Sequence, residues 1–323
     1  MMVAGAAGAQ NINAGGASAP YPIYNKWFSE FAQAHPNIHI NYQSIGSGGG
    51  VKGAGDGTLD FGASDNPMTD DQLAQAKVKL VHIPTVLVAV VPIYNLPDIK
   101  YVNFSPDVIA DIYLGKITNW NDPRIAKDNP GVKFPTQAML PVYRTDGSGT
   151  TFIFTDFLTK VSPDWAKGPG KGGSVKFPTG LGQKGSEGVS GMVRGTKGAF
   201  GYVELVYAMQ NNIEYGGVKN AAGKFVKATP SGPTAAAAAA AKTMPADFRV
   251  SITNAPGADS YPISSFTWLL IPAKSADPAK GKAIVDFLHW MLATGEGEAA
   301  GLGYAPLPKP VADKVAQTIS KIQ

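Results

Sequence analysis

Two long apolar runs, far apart in the chain, constrain its fold more than any other feature. Lys79 to Tyr94 contains Val81, Ile83, Val86, Leu87, Val88, Ala89, Val90, Val91 and Ile93. A near-continuous apolar stretch of this kind reads as a buried strand. It is long enough to pass from one domain into another. Tyr261-Pro262-Ile263 through Phe266-Thr267-Trp268-Leu269-Leu270-Ile271 reads as a second such strand, returning the chain to where it began. At 323 residues the chain has room for two domains of ordinary size. The two strands therefore predict one domain built from residues 1–88 and 263–323, and another from residues 89–262.

Between and before these strands lie three junctions in which a glycine-containing loop with a serine runs into a helix; the second and third also follow a strand. The first is Gly15-Gly16-Ala17-Ser18-Ala19-Pro20-Tyr21-Pro22. Tyr24, Trp27, Phe28 and Phe31 follow at i, i+3, i+4 and i+7, the spacing of a helix face. Pro20 and Pro22 suit a first turn, where a missing N–H costs little, and Ser18 reads as the N-cap. Residues 1–14 read as a flexible leader. The second junction follows an alternating strand with Ile38, Ile40 and Tyr42 and runs Ser44-Ile45-Gly46-Ser47-Gly48-Gly49-Gly50-Val51-Lys52, with Ser47 as its cap. The third is Tyr143-Arg144-Thr145-Asp146-Gly147-Ser148-Gly149-Thr150-Thr151, between Met139-Leu140-Pro141-Val142 and the apolar helix Phe152 to Leu158.

A helix N-terminus exposes unpaired backbone N–H groups and a partial positive charge, so it favours an anion. Hydroxyls of Ser18, Ser47, Ser148 and Thr150 add donors. Arg144 adds a permanently charged fork that matches two oxygens of a phosphate or carboxylate. Asp146, two residues on, is placed to orient that fork. Asp65, at the end of the short strand Leu59-Asp60-Phe61-Gly62-Ala63-Ser64, is the informative acid. A carboxylate facing an anion is repulsive unless the ligand offers a proton. Hydrogen phosphate carries one at neutral pH and sulfate does not. An ionised Asp65 facing sulfate would leave acceptors unpaired in a dry pocket.

Other chemistry finds little support. With no cysteine, thiolate metal sites, redox pairs and disulfides are excluded. His35 and His39 have metal-pair spacing, but Pro36 takes them off a helix. His82 and His289 sit in apolar runs. Gly147-Ser148-Gly149 has the wrong spacing for a nucleophile elbow. The second junction lacks P-loop spacing, and Gly180-x-Gly182-x-x-Gly185 is a lone, weak dinucleotide match. No enzyme, metal or cofactor is expected. Lys and Arg are scattered and the net charge is +4, so no nucleic-acid surface is indicated, though a mild positive field helps attract an anion. No apolar run reaches membrane-spanning length. The opening residues lack the basic and long apolar regions of a signal peptide. Residues 163–190, rich in Gly, Lys and Ser, read as surface loops. The alanine run from Thr234 to Ala241 reads as a surface helix capped by Ser231 or Thr234.

Six stretches in order resemble one family: Tyr24-Asn25-Lys26-Trp27, Gly46 to Lys52, Asp60-Phe61-Gly62-Ala63-Ser64-Asp65, Ile112-Tyr113-Leu114-Gly115-Lys116-Ile117, Arg144 to Thr150, and Gly201-Tyr202-Val203-Glu204. The chain resembles the phosphate-binding proteins of bacterial phosphate ABC transporters from about Gly15 to Pro308. The resemblance implies a type II periplasmic-binding-protein fold: two α/β domains, two crossing strands and a ligand in the cleft. It implies inorganic phosphate as ligand, a membrane permease as partner, a monomer, and a periplasmic or extracytoplasmic location. It also implies the binding positions: Ser18 with the backbone of Ala19, Ser47, Asp65, Arg144, Ser148, Gly149 and Thr150, with Asp146 supporting the arginine. Alternatives are a receptor for another tetrahedral oxyanion, or a phosphatase-type enzyme. Two departures stand out: the family often has Thr at Ser18 and an aromatic residue at Ala19. The second predicts looser packing beside the cleft.

Overall fold

A computed structural model describes residues 9–323. Its strands are β1 (Gln10–Gly16), β2 (Ile38–Ser44), β3 (Phe61–Ser64), β4 (Leu80–Tyr94), β5 (Asn103–Phe104), β6 (Leu140–Arg144), β7 (Leu181–Gln183), β8 (Ala199–Glu204), β9 (Glu214–Tyr215), β10 (Gly217–Lys219), β11 (Phe225–Val226) and β12 (Ser264–Pro272). The helices are α1 (Tyr21–Ala34), α2 (Ser47–Asp56), α3 (Asp70–Gln75), α4 (Pro106–Tyr113), α5 (Pro123–Asp128), α6 (Gly149–Val161), α7 (Pro163–Lys167), α8 (Gly185–Gly195), α9 (Leu205–Gln210), α10 (Ser231–Ala240), α11 (Pro278–Ala293) and α12 (Lys309–Ile319).

The two apolar runs are β4 and β12, paired antiparallel at the centre of a sheet ordered β2-β1-β3-β12-β4-β8-β6-β7. β4 belongs to both halves of this sheet. Its residues Leu80 to Ala89 pair with β12, and its residues Val90 to Tyr94 pair with β8. On one side β1 runs parallel to β2 and β3; on the other β6 runs parallel to β7 and β8. In open parallel sheets, ligands bind outside the carboxyl ends of the strands. Here two parallel sets supply such ends.

The core follows from the helix periods read in the sequence. α1 buries Tyr24, Trp27, Phe28 and Phe31. Phe28 lies 5.0 Å from Phe287 of α11, and the Trp27 indole N–H donates to Gly295 O at 2.8 Å. Burying each such side chain contributes about 1.5–3 kcal/mol. α2 is glycine-rich because it lies directly on the sheet. A Cβ at Gly50 would stand 2.8 Å from Gly16 Cα.

Several expectations need correction. Residues 1–8 of the expected leader lie outside the described residues, but Gln10 to Gly16 is no leader. It is β1, held between β2 and β3. Only Ile12 among these seven residues is large and apolar, so periodicity gave little sign of a strand. Ser18 does not cap α1, because Pro20 stands at the N-cap. A cap at Ser18 would address the N–H of residue 20 or 21, and Pro20 has none. Ser47 is the first residue of α2, with Gly46 before it at φ 81°. The alanine helix starts at Ser231 behind Pro230 without a side-chain cap. Residues 163–190 are not merely loops: they hold α7, β7 and the start of α8. By contrast, Ser148 does cap its helix, α6, accepting from Thr151 N at 3.0 Å.

Candidate anion-binding site

Six strand ends deliver six polar side chains to one place. Ser18 follows β1, Ser47 follows β2 and Asp65 follows β3. Arg144 ends β6, Ser186 follows β7 and Glu204 ends β8. All six are buried.

The second and third junctions touch. Ser47 Oγ accepts from Gly149 N at 3.1 Å and from Asp65 N at 3.2 Å. Gly48 N donates to Gly147 O at 2.9 Å. Because Ser47 is not spent as a cap, its hydroxyl is free for this crossing. The first junction arrives through hydroxyls: Ser18 Oγ lies 3.1 Å from Ser186 Oγ. Tyr207 OH donates to Ser18 O at 2.7 Å, and Tyr304 OH donates to Ala19 O at 2.6 Å. Ala19 is fully buried, so the expected loosening beside it is not seen; two tyrosines close that side.

Arg144 behaves differently from the simple fork expected. Its Nε and Nη2 donate to Asp146 at 2.7 and 2.5 Å. Asp146 Oδ1 also accepts from Gly185 N at 3.1 Å. Asp146 therefore fixes the plane of the guanidinium and ties it to the start of α8. The remaining Nη1 faces Thr150 Oγ1 at 3.2 Å and Ser186 Oγ at 3.1 Å. Burial alone would raise Asp146, but its bonds and charge contact with Arg144 outweigh that and hold it below the usual carboxylate range.

Asp65 stands at the opposite extreme. Burial, then the nearby charge of Glu204, pushes it up to about 7. Its Oδ1 is buried and has no hydrogen-bond partner among the described residues. A buried, unpaired acceptor is costly, so it marks the place where a proton-bearing group fits.

Two members of the cluster, Ser186 and Glu204, were missed in the sequence. Glu204 lies inside a quoted family stretch but had no assigned role. Ser186 was hidden in the stretch read as loops. The signal for it was present: Gly185-Ser186 after β7 repeats the Gly46-Ser47 and Gly147-Ser148 pattern. The weak Gly180-x-Gly182-x-x-Gly185 match is this fourth strand-to-helix junction. Among the described residues, no group of three or more His, Asp or Glu could hold a metal ion, and no helix is long and apolar enough to cross a membrane. His35 ends α1 and His39 lies on β2, away from this cluster.

A family model for a PBP superfamily domain matches residues 3–294. The phosphate-binding protein PstS of Pasteurella multocida is 44% identical over 95% of this chain and 89% of its own length. That of Haemophilus influenzae is 42% identical over 95% and 92%. The chain belongs to the PstS family of phosphate-binding proteins. Among solved structures, a high-affinity periplasmic phosphate-binding protein, PfluDING, bound with phosphate, superposes with a TM-score of 0.76 at 20% identity, over 95% of this chain and 93% of that one. The phosphate-binding protein of Stenotrophomonas maltophilia gives 0.73 at 21% identity, over 96% and 94%. The fold is the type II periplasmic-binding-protein fold that the resemblance implied.

Proposed function

We propose that this protein is a non-enzymatic receptor for inorganic phosphate that delivers its ligand to the membrane permease of a phosphate ABC transporter from a periplasmic or extracytoplasmic position. The observation that carries the ligand assignment is Asp65. It is a buried carboxylate with one unpaired oxygen, whereas the carboxylates of Asp146 and Glu204 are occupied by Arg144 and by hydroxyls and the rest of the site is hydroxyls, N–H groups and one guanidinium. Such a site accepts an anion that brings its own proton. Kinship with proteins named for phosphate binding supports the same ligand.

In this reading Ser18 and the Ala19 backbone, Ser47, Ser148, Gly149 and Thr150 supply donors. Arg144, set by Asp146, supplies the fixed charge, and Asp65 accepts the ligand's proton. Of the described residues, 9–88 with 263–323 form one lobe and 89–262 the other. The Ser47–Gly149 bond crosses between them. A ligand held by both lobes favours the closed state by its differential affinity. Thr150 and Ser186 give their protons to Glu204, but among the described residues no histidine is hydrogen-bonded to any of these hydroxyls, so the Ser–His pairing that activates a nucleophile is not found, which argues against ester hydrolysis. Titration calorimetry of phosphate-stripped protein with phosphate, arsenate and sulfate tests the reading, together with a chromogenic phosphate ester. Tight phosphate binding, weak sulfate binding and no ester turnover are expected. Equal affinity for sulfate, or turnover, would refute it.

A further inference from the structure

Glu204 is the buried group for which phosphate binding alone finds no use. Its two oxygens collect the protons of two hydroxyls. Thr150 Oγ1 donates to Oε1, and Ser186 Oγ donates to Oε2 at 2.9 Å. Arg144 Nη1 donates to both of those hydroxyl oxygens. Each hydroxyl has one proton. With both protons committed to an ionised Glu204, neither Thr150 nor Ser186 has one left for an anion. Ser18 is drawn in as well. Once Ser186 gives its proton to Glu204, the 3.1 Å contact between Ser18 Oγ and Ser186 Oγ requires Ser18 to donate. Three hydroxyl protons then point toward Glu204, two along the Ser18–Ser186 chain to Oε2 and one from Thr150 to Oε1.

The charges sharpen the conflict. Arg144 faces Asp146, Glu204 and Asp65 in one buried cluster, so carboxylates outnumber the guanidinium before any anion arrives. The other titratable groups facing Glu204 are Tyr207 on α9 and Tyr304, beyond α11; Glu187 on α8 reaches it through Tyr207. None of these adds a positive charge. A dianion placed beside this cluster meets like charge in a dry setting, where such repulsion is strong.

We propose that Glu204 takes up a proton from solvent as the anion binds, so that the Thr150 hydroxyl turns its own proton from Glu204 to the ligand. The proton settles on Oε1, which then donates to Thr150 Oγ1. Thr150 already accepts from Arg144, so its single proton is released toward the cleft. Ser186 continues to donate to Oε2 and to accept from Arg144, so Ser18 can turn its proton from Ser186 to the ligand. One proton thus removes a negative charge and creates a donor at a position assigned to the ligand. Glu204 is on this account a positioning residue: it reaches the anion only through Thr150. Burial already pushes its carboxyl above the usual range, so the neutral form is within reach. The inference rests on the phosphate-receptor reading given above.

The experiment is calorimetric titration of the full chain with inorganic phosphate, in buffers of different ionisation enthalpy, at a pH where free phosphate is the dianion. The wild type should take up close to one proton per phosphate. Glu204→Gln offers an acceptor to one hydroxyl and a permanent N–H donor to the other, so it should bind phosphate without that uptake. Where Glu204 is ionised in the free protein, wild-type affinity should fall by up to about tenfold more per pH unit than that of the variant. Equal proton counts and parallel pH profiles would overturn the proposal. If Glu204→Gln does not fold, infrared difference spectra of wild type and Asp65→Asn serve instead. A neutral carboxylic-acid band gained on adding phosphate, and kept in Asp65→Asn, supports Glu204 as the acceptor. Its absence from both overturns the assignment. Wild-type protein that binds no phosphate would overturn the receptor reading itself, and this inference with it.

Discussion

Replacing Asp65 with asparagine should stabilise the phosphate-free protein, and do so more strongly as the pH rises. Asp65 is pushed from the ordinary value of 3.8 to about 7, chiefly by burial and then by Glu204. The folded state therefore holds this proton more tightly than the unfolded state. Between those two values the native chain binds more protons than the unfolded one, so stability falls with rising pH. At about 1.4 kcal/mol per pKa unit, the full cost above pH 7 is about 4 kcal/mol. At about pH 5 less than half of that has accrued, so the gain from Asp65→Asn should be about 2–3 kcal/mol larger at about pH 8 than at about pH 5. Thermal or urea unfolding of phosphate-stripped wild type and variant at both pH values measures this difference. The same variant should also lose discrimination. Its amide offers N–H donors to an oxyanion without protons, so sulfate is no longer refused, while phosphate keeps a carbonyl acceptor and every donor around it. Competition titrations at fixed ionic strength read that ratio. A stability gain independent of pH would refute the burial argument. An unchanged phosphate-to-sulfate preference would refute the role given to Asp65 in selectivity.

Arg144→Ala removes the only fixed positive charge of the cluster and leaves Asp146 and the anion underpaired; calorimetry should show affinity lost for every tetrahedral anion by roughly 2–5 kcal/mol, with little change in preference among them. Gly149→Ala places a Cβ 2.6 Å from Asp65 Cβ and 2.7 Å from Asp65 Oδ2, so the two junctions cannot approach as they do. Phosphate affinity should fall at least about tenfold, equivalent to about 1.4 kcal/mol, and small-angle scattering should show less compaction on adding phosphate than in the wild type. His82 is buried, accepts Met68 N–H at 3.0 Å and is held down to about 4, first by burial and then by Arg249. Its neutral form stabilises the fold above the unfolded value, and that contribution is lost as pH falls from about 6.5 to about 4. His82→Gln should flatten the unfolding curve across that acid range, and an unaltered acid limb would refute the assignment.

The apolar runs of β4 and β12 were legible because burial on both faces needs little beyond a continuous apolar sequence. The aromatic stripe of α1 and the capped start of α6 were legible because period and cap are local properties. So were most members of the buried polar cluster, since glycine and serine at a strand-to-helix junction carry their chemistry with them. β1 was not legible: its small and polar residues become a central strand only because β2 and β3 supply its hydrogen bonds and α2 covers it through glycine. Ser186 was hidden for the same reason, since a hydroxyl in a Gly- and Lys-rich stretch has no meaning until β7 lays it beside Arg144. The destination of each hydrogen bond was also beyond the sequence. Ser18 and Ser47 read as caps, and only the position of Pro20 and the placement of Gly46 freed their hydroxyls to reach Ser186 and Gly149. Glu204 shows the division most clearly. Its residue type was plain in the chain, but its burial, its two hydroxyl donors and its place beside Arg144 come from strands and helices far apart in sequence. Local chemistry is written residue by residue, whereas pairing and desolvation are properties of neighbours that only the folded chain brings together.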